Sequence, residues 1–232
     1  MERLKELAGR KAAEYVRDGM VVGLGSGSTA AHAIRALGER VSRGLSIRAI
    51  STSEASSRLA TELGIELITF EDELVIDVTI DGADEVDPNL DLIKGLGGAL
   101  VREKVAAWAT TRQIIIVDPG KLVHRLGTRA PVPVEVVPFA WPVVQRALTE
   151  RGLAPELRQT ADDEPYRTDN GNYILHCRFP EGIDNAAVTE SWLNDLPGVV
   201  GNGLFVSLTD LVIVGQEDGT CRLLERPGAT RT

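Results

Sequence analysis

Apolar positions in the first half of the chain fall into short runs separated by amphipathic stretches. Residues 2–17 place Leu4, Leu7, Ala12 and Tyr15–Val16 near one face, which is helical spacing, and Asp18-Gly19 breaks it. Residues 20–24 form a continuous apolar run of the buried-strand kind. The run ends in Gly25-Ser26-Gly27-Ser28-Thr29, and a helical pattern follows through Ile34. Residues 46–51 read as a second strand, Ser53 opens a helix that stops near Gly64, and residues 65–70 read as a third strand. Residues 74–80 are mostly apolar and β-branched, and they run straight into Asp81-Gly82-Ala83-Asp84-Glu85. A loop through Lys94-Gly95-Leu96-Gly97-Gly98 leads to a helix over 99–109 and a strand over 113–117. This alternation predicts an α/β fold with a layered, mostly parallel, Rossmann-like sheet.

The texture changes near Thr128. Pro131, Pro133 and Pro138 punctuate a strand-like VPVEVV; residues 141–151 read as a helix; residues 157–159 and 173–179 read as strands joined through the turn signal Thr168-Asp169-Asn170-Gly171-Asn172. A helix over 186–196 stops at Pro197-Gly198, and a further strand follows. That order, β-α-β-β-α-β, predicts a smaller inserted ferredoxin-like α+β domain. Its expected limits are 130–202, with 1–129 and 203–232 forming the main domain. Residues 210–215 (DLVIVG) read as a buried strand that could rejoin the first sheet, and the tail PGATRT reads as frayed.

Composition narrows the function classes. In 232 residues, 25 Lys and Arg stand against 34 Asp and Glu, a net charge of −9. A general nucleic-acid or membrane-surface binder usually carries a basic excess, and 4% aromatics argue against a base-stacking surface. Two distant cysteines, Cys177 and Cys221, make neither a disulfide scaffold nor a zinc knuckle. The charged amphipathic N-terminus is not a signal peptide, so a cytoplasmic protein is expected. Trp108, Trp141 and Trp192 lie in helical patterns and are expected to pack. His176 is expected to have a surface or packing role.

Three constellations carry possible chemistry. The loop Ser26-Gly27-Ser28-Thr29, between a strand and a helix, offers free N–H groups and hydroxyls to an anion. It matches neither the P-loop nor the GxGxxG pattern, and a plain strand-to-helix turn with Ser28 as N-cap is an equally open reading. Ser53 opens a similar loop. Asp81 and Asp84, at a strand's carboxyl end, suit sugar hydroxyls, acid–base work or an all-oxygen magnesium site. An Asx turn with solvated acids is the plainer alternative. Lys94, ahead of a glycine loop, could reach a developing negative charge, and Glu103 could serve as base if it faces a cleft. As charge alone goes, Arg102, Glu103 and Lys104 read as a solvated helix face. Lys121, after Asp118-Pro119-Gly120, is a further anion partner or a turn residue.

The ordered blocks VGLGSGSTAAHAI, TIDGADEVD, LIKGLGGALVREK, IIIVDPGKLV, VPVEVVP, TDNGNYIL and PGVVGNGLF resemble the type A ribose-5-phosphate isomerases across most of the chain. The resemblance implies interconversion of ribose 5-phosphate and ribulose 5-phosphate through an enediolate, in the non-oxidative pentose phosphate pathway. It implies no metal or organic cofactor, a homodimer or homotetramer, and a small sugar phosphate as the only partner. By position, Glu103 would move the proton between C1 and C2. Asp81 would assist ring opening, Asp84 would hold hydroxyls and Lys94 would stabilise charge. Ser26, Gly27, Ser28, Thr29, Gly82, Ala83, Gly95, Leu96, Gly97 and Lys121 would complete the substrate site. The family pattern has Thr at the place of Ser26, and often an acid at that of His176. The alternatives are a non-catalytic sugar-phosphate sensor and a related-fold enzyme, either an amino-sugar phosphate deaminase or a coenzyme A transferase.

Overall fold

The computed structural model describes residues 1–226; the PGATRT tail lies outside the described residues. In chain order the elements are α1 (Glu2–Ala13), β1 (Val21–Leu24), α2 (Gly27–Val41), β2 (Arg48–Ser51), α3 (Glu54–Glu62), β3 (Glu66–Leu67), β4 (Ile76–Gly82), β5 (Glu85–Val86), β6 (Leu92–Ile93), α4 (Leu100–Trp108), β7 (Thr110–Val117), β8 (Val132–Val136), α5 (Trp141–Glu150), β9 (Ala154–Leu157), β10 (Tyr173–Arg178), α6 (Ala186–Asn194), β11 (Val199–Asn202), β12 (Leu204–Phe205), β13 (Leu211–Gly215) and β14 (Cys221–Glu225). They divide into two units: Met1–Ala83, Arg102–Leu122 and Ser207–Thr232 form the first, and Asp84–Val101 and Val123–Val206 the second.

The first unit is built on a seven-stranded sheet in the order β14-β13-β7-β4-β1-β2-β3. All its pairings are parallel except β13 with β14. Strands covered on both faces need continuous apolar runs. β1 and β13 are accordingly buried at every position. Their side chains pack with Ala8, Ala12, Ile34 and Leu37 from α1 and α2. The run 210–215 does rejoin the first sheet, pairing Leu211–Val214 with Ile114–Val117.

Several boundaries in this unit differ from the sequence reading, those of α1, β3 and β4 among them. α1 stops at Ala13, because Tyr15 and Val16 donate to the carbonyls three residues back (3.1 and 3.2 Å), tightening the end into turns. β3 shrinks to two residues because Thr69 enters a turn whose N–H and hydroxyl both donate to Asp72 Oδ2. β4 starts at Ile76, leaving Leu74 and Val75 exposed. Trp108 is also no packing residue; it is 79% exposed at the end of α4.

The second unit contains a four-stranded antiparallel sheet in the order β11-β8-β10-β9, with α5 and α6 as its helices. This is the β-α-β-β-α-β arrangement that the turn signals and periodicity indicate. β9 spans 154–157 rather than 157–159. Pro155 hides it in the sequence, and its edge position makes the proline tolerable. The core of this sheet holds Val132, Val134, Val136, Leu148, Leu175, Cys177 and Leu193, with Trp141 and Trp192 packed against it. Burial pushes the Cys177 thiol up to about 12, so it is an inert apolar side chain at neutral pH. The same unit holds a three-stranded sheet, β12-β6-β5, of two-residue strands too short to show in the sequence pattern.

Candidate functional site

Leaving β14 aside, the first unit's sheet runs β3-β2-β1-β4-β7-β13, so the strand order reverses between β1 and β4. In open α/β sheets ligands bind in the crevice outside the strands' carboxyl ends at such a reversal. Leu24 pairs with Ile80 there, which sets Gly25 beside Asp81 at the top of the sheet. The Gly25 N–H donates to Ile80 O at 2.9 Å. The approach is so close that a Cβ on Gly25 would lie 2.1 Å from Asp81 Oδ1. Asp81 is 1% exposed. Its Oδ1 accepts the N–H of Ser26 at 3.0 Å and of Gly82 at 2.7 Å. One buried carboxylate therefore joins the loop after β1 to the end of β4.

Ser26, in extended backbone, is the N-cap of α2, where the sequence reading had Ser28. Gly27 takes φ +85, a conformation other residues rarely adopt, and so lets the chain turn into the helix. Ser28 and Thr29 then lie in the first turn, among N–H groups without a helical partner of their own. Gly82 passes Thr29 closely: a Cβ on it would sit 3.6 Å from the Thr29 Cβ.

The loop is braced from behind by residues that the sequence reading passed over. Ser26 Oγ lies 2.8 Å from Thr52 Oγ1, which also donates to Leu24 O at 3.1 Å. Ser56 Oγ donates to Gly25 O at 2.6 Å. Ser53 serves as the N-cap of α3, accepting the Ser56 N–H. The sequence reading had Ser53 opening a helix; the buttress that Ser56 makes onto Gly25 was not visible in it. From α1, Lys5 Nζ donates to Ser28 Oγ at 3.1 Å and to Glu2 Oε1 at 2.9 Å. Glu2 also meets His32 Nε2 at 2.8 Å. Hydrogen bonds to Lys5 and His32 hold the Glu2 carboxyl down at about 2. Lys5 is one charge among many on an amphipathic helix, so nothing in the sequence marked it.

Glu103 lies in the first turn of α4, the end where a helix favours negative charge. It is only 4% exposed, so the solvated-face reading fails for this residue, while Arg102 and Lys104 are half-buried. Lys121 closes a 3-10 turn, Pro119–Lys121, at the carboxyl end of β7. Asp118 caps that turn by accepting the Gly120 N–H at 2.9 Å.

In the second unit, the Asp84 N–H donates to Ile93 O at 2.8 Å, and Asp84 Oδ2 accepts the Leu96 N–H at 3.1 Å. Lys94 follows β6 and is 2% exposed. Its N–H donates to Gly203 O, and its ammonium lies 5.4 Å from the ring centroid of buried Phe205. A cation against a π-face in a desolvated setting is stabilised by the ring quadrupole. Gly95 and Gly98 both have positive φ, and the Gly98 N–H closes a turn onto Gly95 O. Gly97, between them, has open space on its Cβ side. Within the first unit, then, the structure brings together Ser26, Thr29, Asp81 and Gly82. Within the second it brings together Asp84, Lys94 and the loop 95–98. His176 lies outside both groups of contacts, on β10, and burial holds its pKa below the ordinary value.

Among the described residues no three His, Cys, Asp or Glu side chains group in a way that could hold a metal ion. No described helix is long and apolar enough to cross a membrane.

Comparison with known proteins gives a consistent result. Residues 48–219 match the family model described as ribose 5-phosphate isomerase A (phosphoriboisomerase A). The ribose-5-phosphate isomerase A of Thermomicrobium roseum is 51% identical over 226 residues, covering 97% of this chain and 94% of that protein. That of Gloeobacter violaceus is 50% identical over 220 residues, covering 94% and 95%. Among solved structures, the Plasmodium falciparum ribose 5-phosphate isomerase superposes with a TM-score of 0.94 at 36% identity, covering 98% of this chain and 100% of its own. A D-ribose-5-phosphate isomerase in complex with phospho-erythronic acid superposes with a TM-score of 0.94 at 43% identity, covering 97% and 99%.

Proposed function

This chain belongs to the ribose 5-phosphate isomerase A family, and from that premise we propose that it interconverts ribose 5-phosphate and ribulose 5-phosphate with Glu103 as the proton-transferring base. In the aldose, the carboxylate of Glu103 takes the proton from C2, and the electron pair moves into the C1–C2 bond as O1 gains charge. The same carboxylate returns the proton to C1 as the O2 carbonyl forms. One base serves both carbons, and no redox partner is needed. Lys94 stabilises the charge developing on the oxygens, since a preorganised cation acts most strongly in a dry site. Asp81 assists ring opening and exchanges the hydroxyl protons, and Asp84 holds sugar hydroxyls.

Ser26, Gly27, Ser28 and Thr29, together with Lys121, bind the substrate's anionic and hydroxyl groups. Gly82, Ala83, Gly95, Leu96 and Gly97 supply backbone contacts. Lys5, held at Ser28, adds positive charge beside this loop in a protein whose net charge is −9. Salt screens the more distant carboxylates beyond about 10 Å, so the local groups dominate. The observation that carries the reading is the buried Asp81, which clasps the Ser26 and Gly82 N–H groups at the reversal of strand order. The wider setting we propose is a cytoplasmic homodimer or homotetramer in the non-oxidative pentose phosphate pathway. None of the relatives described above is a sensor or a deaminase.

The test is turnover of ribose 5-phosphate by the purified, EDTA-treated chain, followed as ribulose 5-phosphate. Every assigned step uses side chains or backbone of this chain, so turnover is expected to survive EDTA. Phospho-erythronic acid carries a phosphate and a carboxylate in place of the reacting carbons, and competitive inhibition by it is expected. A folded protein that leaves ribose 5-phosphate unchanged would overturn the proposal.

A further inference from the structure

The motif Thr168-Asp169-Asn170-Gly171-Asn172 and the long excursion between β9 and β10 have no place in the site as assigned so far. The turn anchors the returning arm of the excursion, and the excursion returns onto one side chain, Arg158. Its N–H donates to Ile174 O at 2.9 Å, extending the ladder one residue past β9. The chain then leaves, makes one bridge between Gln159 and Pro165, and returns so that the Tyr166 N–H donates to Arg158 O at 2.9 Å. Arg158 is thus pinned through both of its backbone polar groups.

Its side chain is pinned as well. The guanidinium carbon lies 3.7 Å from the ring centroid of Tyr166, a stacked arrangement. From there Arg158 Nη1 donates to Leu96 O at 2.9 Å. Tyr166 also touches the loop, since a Cβ on Gly98 would lie 2.4 Å from its Oη. Leu96 is therefore gripped on both sides, its N–H by Asp84 Oδ2 and its carbonyl by Arg158. The loop needs such a grip. With glycine at 95, 97 and 98 it has little conformational preference of its own, and fixing glycine backbone carries a large entropy loss.

The Thr168–Asn172 turn anchors the returning arm. Thr168 Oγ1, Asn170 Nδ2 and Asn172 Nδ2 all donate to Glu135 Oε1, at 3.0, 3.2 and 2.9 Å. Glu135 is fully buried on β8. Two residues before this clamp stands Tyr166. Burial and the nearby Arg158 charge keep the His176 pKa below that of an ordinary histidine.

We propose that Arg158, stacked on Tyr166, is a positioning residue that holds the 94–98 loop in its substrate-binding conformation through the Leu96 carbonyl. The proposal rests on the reading that this loop binds the sugar phosphate. Its effect falls on binding, because Arg158 acts through the loop backbone and not on the reacting carbons.

The experiment compares kcat and KM for ribose 5-phosphate, with melting temperatures, in the parent, Arg158→Ala, Arg158→Lys, Tyr166→Phe and Tyr166→Ala. Loss of a charge-assisted hydrogen bond corresponds to about a ten- to hundredfold rise in KM for Arg158→Ala, with kcat within about threefold. Arg158→Lys keeps a donor but loses the stack, and its KM is expected between those of parent and alanine variant. Tyr166→Phe keeps the platform and the parent KM. Tyr166→Ala raises KM as Arg158→Ala does, and the double alanine variant is no worse than either single one. A parent-like KM in folded Arg158→Ala overturns the proposal, as does a fall in kcat and stability at constant KM. Should Arg158→Ala not fold, an unchanged KM in Arg158→Lys overturns it equally. Lys94→Met, measured in parallel, separates the two layers: parent-like kcat and KM there would remove the loop from the substrate site altogether. Impaired Lys94→Met beside unaffected Arg158 variants would sink only the positioning role.

Discussion

Glu103→Gln lowers kcat for ribose 5-phosphate by about 10²–10⁴-fold, the range a general base contributes, while KM and melting temperature stay near those of the parent. At about 1.36 kcal/mol per decade that is roughly 3–5 kcal/mol of lost transition-state stabilisation. The substitution is isosteric and the site is buried, so the packing at the start of α4 is conserved. The amide keeps an acceptor oxygen but has no basic lone pair to take a carbon-bound proton. Binding is unaffected because the lost interaction belongs to the transition state. The comparison needs steady-state kinetics and a thermal melt on both proteins. Turnover within about tenfold of the parent would place the base on another residue.

Gly25→Ala is the second large effect. The new methyl lies 2.1 Å from Asp81 Oδ1 and 2.5 Å from its Cβ, well inside contact distance. Neither strand end yields easily, because the Gly25 N–H is bonded to Ile80 O and Leu24 is in register with Ile80. The Asp81 side chain must therefore move and release the N–H groups of Ser26 and Gly82. Overpacking of this kind typically costs about 1–3 kcal/mol. A displacement of about 1 Å in a catalytic group lowers kcat/KM about 10²-fold, and the variant is expected to lose at least that much. Activity within a few-fold of the parent would mean that Asp81 is not needed where it stands.

These two effects draw on different depths of legibility. Gly25 and Asp81 ended two apolar runs, and the sequence alone placed both at strand ends. That they touch follows from the parallel register of β1 and β4, which no local pattern encodes. Glu103 stood among charges, and charge favoured a solvated face; its burial comes from tertiary packing that overrides composition. The parallel sheet was readable because strands buried on both faces are continuous apolar runs, whereas the small antiparallel sheet announced itself through turns. β5, β6 and β12 were invisible because two residues carry no periodicity. β9 was displaced by Pro155, which reads as a break in the sequence and is tolerated here at the sheet edge. Arg158 could not be singled out, since a lone arginine beside a strand carries no signal until its partner carbonyl is known.

The uneven placement of the three tryptophans makes the chain its own optical probe. Trp108 stands in solvent on the first unit, while Trp141 and Trp192 pack against the valine-rich core of the second, with Arg151 lying 4.7 Å over the Trp192 ring. An uncharged quencher such as acrylamide reaches the exposed first indole more readily than the half-buried other two. The quenchable, long-wavelength part of the emission therefore belongs to the sheet that carries Asp81. The protected, shorter-wavelength part belongs to the unit that carries Lys94. Loss of order in either unit is legible as a change in its own share of the light.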